Sequence, residues 1–467
     1  MVCDTKVTQV TQRIAQNIDT IAAVATPSGR GGIGIVRVSG PLAFELTEKI
    51  TGKSLQPSPI FSLFKTTQGE LIDEGLLLFF KAPHSFTGEN VVEFQGHGSP
   101  IALDRLLKQL YALGARPARP GEFSERAFLN DKLDLVQAEA IADLIDATSE
   151  KASQLALRNL KGLFSKQIED FQHRLTYLRV YVEAAIDFPE EEIDFLGDGK
   201  VLAQLLDIIE ALKKLLKQTQ QGVIFKEGLT VVLAGYPNAG KSTLLNALSG
   251  KDSAIVTDIP GTTRDVMREQ ILIDGMPVHI IDTAGLRDSH DPIEKEGIRR
   301  AWCEIQEADH LLLLIDVDHL DALEGLQKTV LEKLQRSIPY TIIVNKMDKA
   351  LNSRLRGNDV EGSNNTLYIS AQYHQGLDQL RSHLCHIAGL DNFSEENGFM
   401  ARRRHLNALE RALECLHAGQ EQLTQHRAGE LLAEDLRQAQ QYLSEITGDF
   451  SSDALLGKIF SSFCIGK

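Results

Sequence analysis

The segment Gly235-Tyr-Pro-Asn-Ala-Gly240-Lys241-Ser242 constrains the fold more than any other region of the sequence. It fits the pattern GxxxxGK[ST], follows the strand-like run TVVLA and precedes the helix-like run TLLNALSG, which is the context of a P-loop. In such a loop, glycines let backbone N–H groups surround phosphate oxygens, Lys241 reaches the β- and γ-phosphates, and Ser242 supplies a Mg2+ ligand. The segment therefore predicts an α/β nucleotide-binding domain.

Three further elements follow the P-loop in the order expected of a GTPase. Asp282-Thr-Ala-Gly285 ends an apolar strand, where the carboxylate can hold Mg2+ through water and the glycine N–H can face the γ-phosphate. The carboxylate of Asn345-Lys-Met-Asp348 can accept two hydrogen bonds from guanine, a donor pair that adenine lacks. Ser370-Ala371 adds a backbone contact to the base. Together these elements predict a Ras-like GTPase domain with a doubly wound α/β fold.

The residues alone leave the group that orients the attacking water undecided. The position directly after DTAG, where a glutamine is the familiar solution, is Leu286, and an apolar side chain cannot orient water. No arginine finger is evident either. The nearby candidates for orienting water are Arg287, Asp288, Asp291, Glu294 and Glu296.

The regions flanking this domain differ from it in pattern. Between residues 20 and 113, short apolar runs alternate with Gly- and Pro-containing turns, which predicts a small α+β domain. Helical periodicity extends from residue 133 to 216 and returns from 402 to 447, which predicts one all-α domain interrupted by the inserted GTPase domain. The predicted segments are an extension at 1–18, the α+β domain at 19–132, a first helical segment at 133–227, the G domain at 228–390 and a second helical segment at 391–467.

Charge and composition limit the cellular context. The 467 residues carry a formal charge of −15, which argues against a broad sequence-independent nucleic-acid surface but leaves room for a local basic site such as Arg402-Arg403-Arg404. No apolar run approaches the ~20 residues of a membrane span, and the first residues lack the apolar core of a signal peptide. The five cysteines are scattered and form no CxxC pair, which favours reduced thiols. We therefore expect a cytoplasmic protein with no membrane partner.

Several segments outside the nucleotide motifs resemble one family closely. They are DTIAAVATPSGRGGIGIVRVSG, SFTGENVVEFQGHG, RPGEFSERAFLNDKLDLVQAEAIADLI, AAIDFPEEEIDF and the closing SSFCIGK, together with the switch-like Pro260-Gly-Thr262-Thr263-Arg264-Asp265. These segments resemble the MnmE (TrmE) family of tRNA modification GTPases from Asp19 to Lys467. The resemblance implies a folate-binding α+β domain, a central helical domain and an inserted G domain, in agreement with the boundaries above.

The resemblance also implies how the G domain reaches catalytic competence. In this family the G domains dimerise across their nucleotide faces in K+, which stands where an arginine finger would place its charge. Ser242 and Thr263 match the Mg2+ ligands, and Asn238, Thr257, Ile259 and Thr262 match the K+ shell. Glu294 matches the glutamate that orients water, the alternative being a solvated carboxylate at a helix start. Lys241, Asn238 and Glu294 would be the catalytic residues of GTP hydrolysis.

The motifs and the resemblance together define the expected nucleotide contacts. These are Asn238, Ala239, Gly240, Lys241, Ser242, Thr243, Thr257, Asp258, Ile259, Pro260, Gly261, Thr262, Thr263, Asp282, Thr283, Ala284, Gly285, Asn345, Lys346, Asp348, Ser370 and Ala371.

A second site follows from the resemblance alone. Arg37, Glu93, Lys132 and Lys467 match the residues that bind 5-formyl- or 5,10-methylene-tetrahydrofolate. A carboxylate such as Glu93 could pair with the pterin N–H donors, and the cations with folate carboxylates or carbonyls. Cys464, in the closing CIGK, is the one cysteine with a candidate catalytic role; the alternative is a small buried residue at a helix end.

The implied function is K+-dependent GTP hydrolysis that controls modification of the tRNA wobble uridine. The partners would be GTP and GDP, a second copy of this chain, the tRNA substrate and the flavoprotein MnmG (GidA). The chain and MnmG would form a heterotetramer, to which MnmG brings FAD. The complex would place a carboxymethylaminomethyl or aminomethyl group at carbon 5 of the uridine. One alternative is a GTPase switch in ribosome assembly, a class that usually adds a basic RNA-binding module, whereas the extra domains here are acidic or neutral. The other is a scaffold with vestigial nucleotide binding, against which the intact motifs argue.

Overall fold

The computed structural model describes most of the chain. The described residues are 19–54, 56, 58–187, 199–249, 268–282, 306, 308–333, 338–352, 365–391, 398–426, 428–449 and 453–466. The chain divides into two compact units by its internal contacts. The first unit comprises Met1–Ala142, Asn159–Leu205 and Glu414–Lys467, and the second comprises Asp143–Arg158 and Leu206–Leu413.

Twelve strands in the described portion of the chain form two sheets. They are β1 (Ile21–Val24), β2 (Gly31–Ser39), β3 (Ile60–Lys65), β4 (Leu71–Phe80), β5 (Val91–Gly98), β6 (Arg116–Pro117), β7 (Leu229–Gly235), β8 (Arg268–Ile273), β9 (Met276–Asp282), β10 (His310–Asp316), β11 (Tyr340–Asn345) and β12 (Thr366–Tyr368).

The α-helices of the described residues occur in both units. They are α1 (Ala43–Thr51), α2 (Pro100–Ala112), α3 (Glu122–Leu129), α4 (Leu135–Ile145), α5 (Glu150–Leu160), α6 (Leu163–Asp187), α7 (Lys200–Glu227), α8 (Lys241–Ser249), α9 (Leu323–Lys333), α10 (Leu377–Ile387), α11 (Arg403–Glu421), α12 (Gly429–Thr447) and α13 (Asp453–Ser461). Two 3-10 helices, Val317–Ala322 and Met347–Asn352, and a π-helix, Gln422–His426, complete the set. Within the described ranges, no helix combines the length and apolar character needed to cross a membrane.

The first sheet belongs to the first unit and is almost wholly antiparallel. Its strand order is β3-β4-β5-β2-β1-β6, and only β1 and β6 run parallel. Burial alternates along β3, where Ser62 and Phe64 are buried and Phe61 and Leu63 are exposed. At this edge of the sheet, the period of two directs one set of side chains into the core and the other toward solvent. The buried face packs against the apolar sides of α1 and α2, through residues such as Leu46.

The second sheet belongs to the second unit and has the order β12-β11-β10-β7-β9-β8. Its strands are parallel except for β8, which pairs antiparallel with β9. Strand β10 is buried at all seven of its positions, as expected for a central strand covered on both faces. The carboxyl ends of β7, β10 and β11 therefore meet at one edge of the sheet, where a doubly wound fold binds its ligand.

Long helices of the first unit pack through paired polar side chains as well as apolar ones. On α6, Gln172 Nε2 donates to Ser444 Oγ of α12 at 3.0 Å, and Arg179 Nη1 donates to Gln440 Oε1 at 2.6 Å. Buried leucines on both helices, including Leu175 and Leu443, fill the space between these bonds. The α+β, all-α and P-loop α/β regions predicted from the sequence are therefore present, while the exact domain boundaries stay predictions.

A buried ion-pair network in the first unit is centred on Arg126 of α3. Arg126 is 1% exposed, and its guanidinium donates to Glu89, Asp19 and Glu122 at 2.7–3.2 Å. The hydrogen bond from Arg116, assisted by Arg126, lowers the pKa of Asp19 despite partial burial. For Glu122, burial raises the pKa, but hydrogen bonds from Arg116 and the Arg119 N–H outweigh it, so the net shift is downward. The carboxylates are thus held ionised, as buried charges require.

The second sheet buries one histidine, His310, which a threonine hydroxyl connects to the half-buried His383 of α10. His310 Nε2 on β10 lies 2.9 Å from the Thr341 hydroxyl, which lies 2.8 Å from Nε2 of His383 on α10. Burial, with a smaller contribution from His383, lowers the pKa of His310 to about 4. Among the described residues, His310 Nδ1 is buried without a hydrogen-bond partner. Both units therefore bury titratable groups, as ion pairs around α3 in the first and as the neutral imidazole of His310 in the second.

Candidate functional site: a nucleotide cradle and a second anionic-ligand site

The predicted P-loop joins the end of β7 to the start of α8. Lys241 opens the helix, is 8% exposed, and donates from Nζ to the carbonyl oxygens of Gly235 at 2.8 Å and Tyr236 at 3.3 Å. Its ammonium therefore lies over the loop, where phosphates would bind. Ser242 and Thr243 are exposed in the first helical turn. The unsatisfied N–H groups and positive dipole end of this turn favour an anion.

Asn345 connects the P-loop to the elements predicted to bind the base. Its Nδ2 donates to the Ala239 carbonyl at 2.9 Å, and its Oδ1 accepts from the Ala371 N–H at 3.0 Å. Gly240 has a φ of +96°, and a Cβ there would lie 2.4 Å from Asn345 Nδ2, so only glycine permits this approach. One buried amide thus joins three of the predicted motifs.

The element that follows β12 holds Asp348, the residue predicted to recognise the base. Its Oδ1 accepts a hydrogen bond from Ser370 Oγ at 2.5 Å, and Ser370 is itself fully buried. Lys346 Nζ donates to the Asn238 carbonyl at 2.8 Å. Lys346 and Asn238 border a cavity of about 440 Å3 that reaches from Tyr236 to Lys349. The arrangement can present a fixed carboxylate to the donor edge of guanine.

The side chains predicted to hold cations are available in this geometry. Asn238 is exposed with a φ of +68°, and its carboxamide makes no hydrogen bond to any described residue, while its carbonyl is occupied by Lys346. The Ser242 hydroxyl is exposed beside the phosphate position. Oxygen donors of these kinds suit K+ and Mg2+, which are hard cations. The described portion of the site therefore fits both ions.

Other predicted residues lie outside the described portion of the chain. They are residues 257–263 of the switch loop, residues 283–285 of the DTAG element, Glu294 with the other water-orienting candidates, and Lys467. Asp282 closes β9, and its backbone is in register with Leu233 of the P-loop strand. Its position at the carboxyl end of a strand beside β7 agrees with the prediction.

Arg37 and Glu93 form a cross-strand pair on the face of the first sheet opposite α1 and α2. They are directly opposite each other on β2 and β5, with guanidinium–carboxylate distances of 2.9 and 3.0 Å. The Arg37 guanidinium also lies over the rings of Phe86 at 5.6 Å and Phe123 at 5.7 Å. The aromatic rings restrict the arginine and leave both side chains partly exposed, at 23% and 13%. The pair can therefore meet a ligand that carries both donors and acceptors.

The carboxyl-terminal segment of the first unit reaches this pair. Arg37 Nη1 lies 3.4 Å from the Gly466 carbonyl, and Gly121 N donates to the Cys464 carbonyl at 3.3 Å. Gly466 has a φ of +94°, and a Cβ there would lie 2.2 Å from the Val24 carbonyl. The Cys464 side chain is exposed, so the alternative of a buried small residue is wrong.

Lys132, the remaining described member of the predicted folate set, is exposed. Its side-chain stem lies beside Gly88, where a Cβ would be 3.3 Å from Lys132 Cγ. Gly88 is two residues from Phe86, which contacts Arg37. The structure thus brings Arg37, Glu93 and the tail together and places Lys132 on the adjoining turn.

The sequence reasoning missed three residues at these sites. Asp316 ends β10 and bonds to Lys346, and the only signal for it was an acidic residue closing the run HLLLLID. Phe86 and Phe123 contact Arg37 through folding alone, so no spacing in the sequence pointed to them.

The arginine tract proposed as a local basic site is partly neutralised. Arg402 Nη2 donates to buried Asp143 at 2.7 Å, and Lys226 pairs with the same carboxylate. Arg403 Nε donates to Glu227 at 2.6 Å. Two of the three arginines thus pair with carboxylates inside the second unit, which weakens the tract as a nucleic-acid contact.

Comparison with known proteins agrees with this geometry. The family model described as GTP-binding protein TrmE N-terminus matches residues 20–132, and the model for the MnmE helical domain matches residues 135–464. A protein of Hydrogenovibrio crunogenus named tRNA modification GTPase MnmE is 57% identical over 451 residues, covering 96% of this chain and 99% of that protein. The protein of the same name from Vibrio vulnificus is 58% identical over 453 residues, covering 96% and 99%.

A solved structure, the G domain of the T. maritima FeoB iron transporter, is 25% identical. It covers 34% of this chain and 98% of that chain, with a TM-score of 0.25.

The largely parallel sheet, the P-loop after β7 and the Asn345-to-Asp348 motif after β11 define a P-loop GTPase. The near-full-length relatives and the two matched family models narrow this class. The chain belongs to the MnmE family of tRNA modification GTPases.

Proposed function

We propose that this chain is the K+-stimulated GTPase subunit of a complex that modifies the wobble uridine of tRNA. The complex would add a carboxymethylaminomethyl or aminomethyl group at carbon 5, using a one-carbon unit from 5-formyl- or 5,10-methylene-tetrahydrofolate. The flavoprotein MnmG would contribute FAD. The observation that carries the proposal is the presence in one chain of an assembled guanine-nucleotide cradle and the separate Arg37–Glu93 site.

The residues of the cradle have distinct tasks in GTP hydrolysis. Lys241 and the N–H groups that open α8 would bind the β- and γ-phosphates and offset charge that develops in the transition state. Asp348 would select guanine, because an adenine leaves its carboxylate unpaired. Ser242 would hold Mg2+, and Asn238, with Thr257, Ile259 and Thr262, would hold K+. These cations would supply positive charge beside the phosphates. Glu294 is our candidate for orienting the attacking water.

The second site is suited to a folate in the chemistry of its side chains. Glu93 can accept from pterin N–H donors, and Arg37 can turn from Glu93 to a folate carbonyl or carboxylate while it keeps its aromatic contacts. Lys132 and Lys467 would bind the glutamate tail. The Cys464 side chain is exposed and is available for chemistry near this site. Its backbone carbonyl accepts a hydrogen bond from the Gly121 N–H, which fixes the position of the residue.

An exposed apolar area on the first sheet supports a homodimer. Phe61 on β3 and Leu76 on β4 are directly paired, and they are 57% and 42% exposed; Leu63 and Phe80 extend the same face. An apolar face of this kind is typical of a protein-binding surface. We assign it to a second copy of the chain, with MnmG and tRNA binding elsewhere on the assembly.

The decisive experiment is mass spectrometry of wobble nucleosides in cells that lack this gene. We expect the carbon-5 modification to disappear and to return on complementation with the wild-type gene. Lys213→Ala, which removes an exposed lysine of α7, should also restore it, whereas Lys241→Ala should not. Unchanged nucleosides in the deleted cells would refute the proposal, and an accompanying defect in ribosomal subunits would favour the ribosome-assembly alternative.

The cation is tested on the purified protein. GTP hydrolysis should be much faster in K+ than in Na+ at equal ionic strength. Equal rates in the two salts would remove the assignment of Asn238 as a K+ ligand, while leaving the tRNA function to the nucleoside experiment.

A further inference from the structure

Asp316 lies between the two nucleotide motifs and belongs to neither. It ends β10, the strand between the P-loop strand β7 and β11, which carries Asn345. Its side chain is 10% exposed, and its Oδ2 accepts from Lys346 Nζ at 2.5 Å. Its Oδ1 accepts from the Asp318 N–H at 3.2 Å, which fixes the carboxylate at the start of a 3-10 helix. The carboxylate is therefore held on both oxygens.

The ammonium that Asp316 holds also contacts the P-loop. Lys346 Nζ donates to the Asn238 carbonyl at 2.8 Å. Both of these residues have left-handed backbones, with φ of +64° at Lys346 and +68° at Asn238. A residue other than glycine is strained in this conformation, so the surrounding contacts must stabilise it. One charged group thus fixes two unfavourable backbone conformations.

The charges around the ammonium favour this arrangement. Burial raises the pKa of Asp316, but the hydrogen bonds from Lys346 and the Asp318 N–H, with the charges of Lys346 and Lys349, outweigh it, so the pKa is lowered. The carboxylate is ionised at neutral pH, and a charge-assisted bond holds the ammonium more strongly than a carbonyl alone would. If the carboxylate is neutralised, Lys346 loses the partner that keeps it against Asn238.

We propose that Asp316 is a positioning residue that controls cation affinity: by holding Lys346 against the Asn238 carbonyl, it fixes the Asn238 side chain where a monovalent cation binds. The base-recognition element and the cation site are then coupled through one ion pair. This inference rests on the K+ stimulation proposed above, and it adds a residue that acts on the cation without contacting it.

The tests on the full-length Asp316→Asn protein are the K+ dependence of GTP hydrolysis and, without turnover, the K+ concentration that half-maximally raises the melting temperature of the protein loaded with Mg2+, GDP and aluminium fluoride. We expect the K+ concentration for half-maximal stimulation to rise about tenfold, equivalent to about 1.4 kcal/mol of cation binding. The rate at saturating K+ should stay within about twofold of wild type, because Asp316 does not contact the phosphates. Asp316→Glu, which keeps the carboxylate, should recover most of the wild-type K+ affinity.

The matched control is Asp321→Asn, which makes the same charge change at an exposed position of the same 3-10 helix. Its K+ curve should equal that of wild type. An unchanged half-maximal K+ concentration in Asp316→Asn, or an equal shift in Asp321→Asn, would overturn the inference. If Asp316→Asn does not fold by circular dichroism, Lys346→Gln tests the same link and should show the same shift. A wild-type protein insensitive to K+ would instead refute the cation proposal and this inference together.

Discussion

The two candidate sites are both built around a paired carboxylate and cation, but on different kinds of sheet. In the second sheet, Gly235, Asp316 and Asn345 end three parallel strands, so the nucleotide residues follow those strands directly in sequence. In the first sheet, Arg37 and Glu93 lie within antiparallel strands, and their neighbours arrive from elsewhere in the chain. A parallel sheet concentrates its site at one edge, whereas an antiparallel sheet must assemble one from distant segments.

The largest expected effect is at the phosphate end of the parallel-sheet site. Lys241→Ala should lower the rate of GTP hydrolysis about 10²–10³-fold, as removal of one preorganised charge-stabilising donor does. The measurement is single-turnover hydrolysis, with Lys213→Ala as the control. A rate within threefold of wild type would contradict the assigned role and would remove the strongest element of the comparison.

A substitution at the base-recognition end of the same site should change the nucleotide specificity. Asp348→Asn should weaken GTP binding about 100-fold, since charged hydrogen bonds contribute about 1.5–3 kcal/mol, and should favour xanthosine triphosphate instead. Competition binding with both nucleotides measures this change. Unaltered preference for GTP would show that Asp348 does not read the base.

On acidification, the second sheet should lose stability at a higher pH than the first sheet. The folded pKa of His310, about 4, is below the ordinary value of 6.5, so the unfolded chain protonates first. Its stabilising contribution is therefore present above pH 6.5 and is lost as pH falls from 6.5 to 4, with about 2 kcal/mol lost between pH 7 and pH 5. The lowered pKa values of Asp19 and Glu122 should protect the first sheet until the pH is below their ordinary values, near 4.

Hydrogen exchange with mass spectrometry, corrected for intrinsic rates, measures this difference in peptides from each sheet. His310→Gln should remove most of the pH dependence in the second sheet, whereas His374→Gln, at an exposed position, should retain it. Equal loss of protection in both sheets of the wild type would contradict the prediction.

The smallest effect is expected at the antiparallel-sheet site. Arg37→Gln should weaken binding of 5-formyltetrahydrofolate about tenfold, because one charge-assisted contact is lost while Glu93 remains. Calorimetric titration measures it, and Arg30→Gln, at an exposed position outside the pair, is the control. Equal affinities for the Arg37 and Arg30 variants would place the folate elsewhere.

The described nucleotide motifs come together as their sequence context predicts, because the geometry of each motif is local. A strand, a turn and a helix place Lys241, and a strand end places Asp348, so each motif contains its own structural context. The sequence did not point to Asp316 as a site residue. Its hydrogen bonds with Lys346 and the Asp318 N–H show a role only once the three neighbouring strands are in register. The fold class followed from the same periodicities, with strands and helices in the regions where those patterns change.

The second site could be named only through the family resemblance. Nothing local in the sequence places Gly466 beside Arg37, 429 positions away, or sets Phe86 and Phe123 against the same guanidinium. These contacts depend on tertiary convergence, which residue spacing does not encode. The ion pairs of Arg402 and Arg403 show that sequence can also suggest a site that the fold weakens. The arginines are consecutive in the sequence, but carboxylates from elsewhere in the fold neutralise them.

The hydroxyl of Thr341 limits how the two histidines beside it can be protonated. It carries a single proton and lies within hydrogen-bond distance of two Nε2 atoms, so the two rings cannot both accept from it and at least one must donate. A buried lone pair without a partner costs less than a buried N–H, so His310 leaves Nδ1 unprotonated and donates from Nε2. At neutral pH the His310 ring is therefore the Nε2–H tautomer, which should be visible as its nitrogen-15 pattern in the imidazole region of the NMR spectrum.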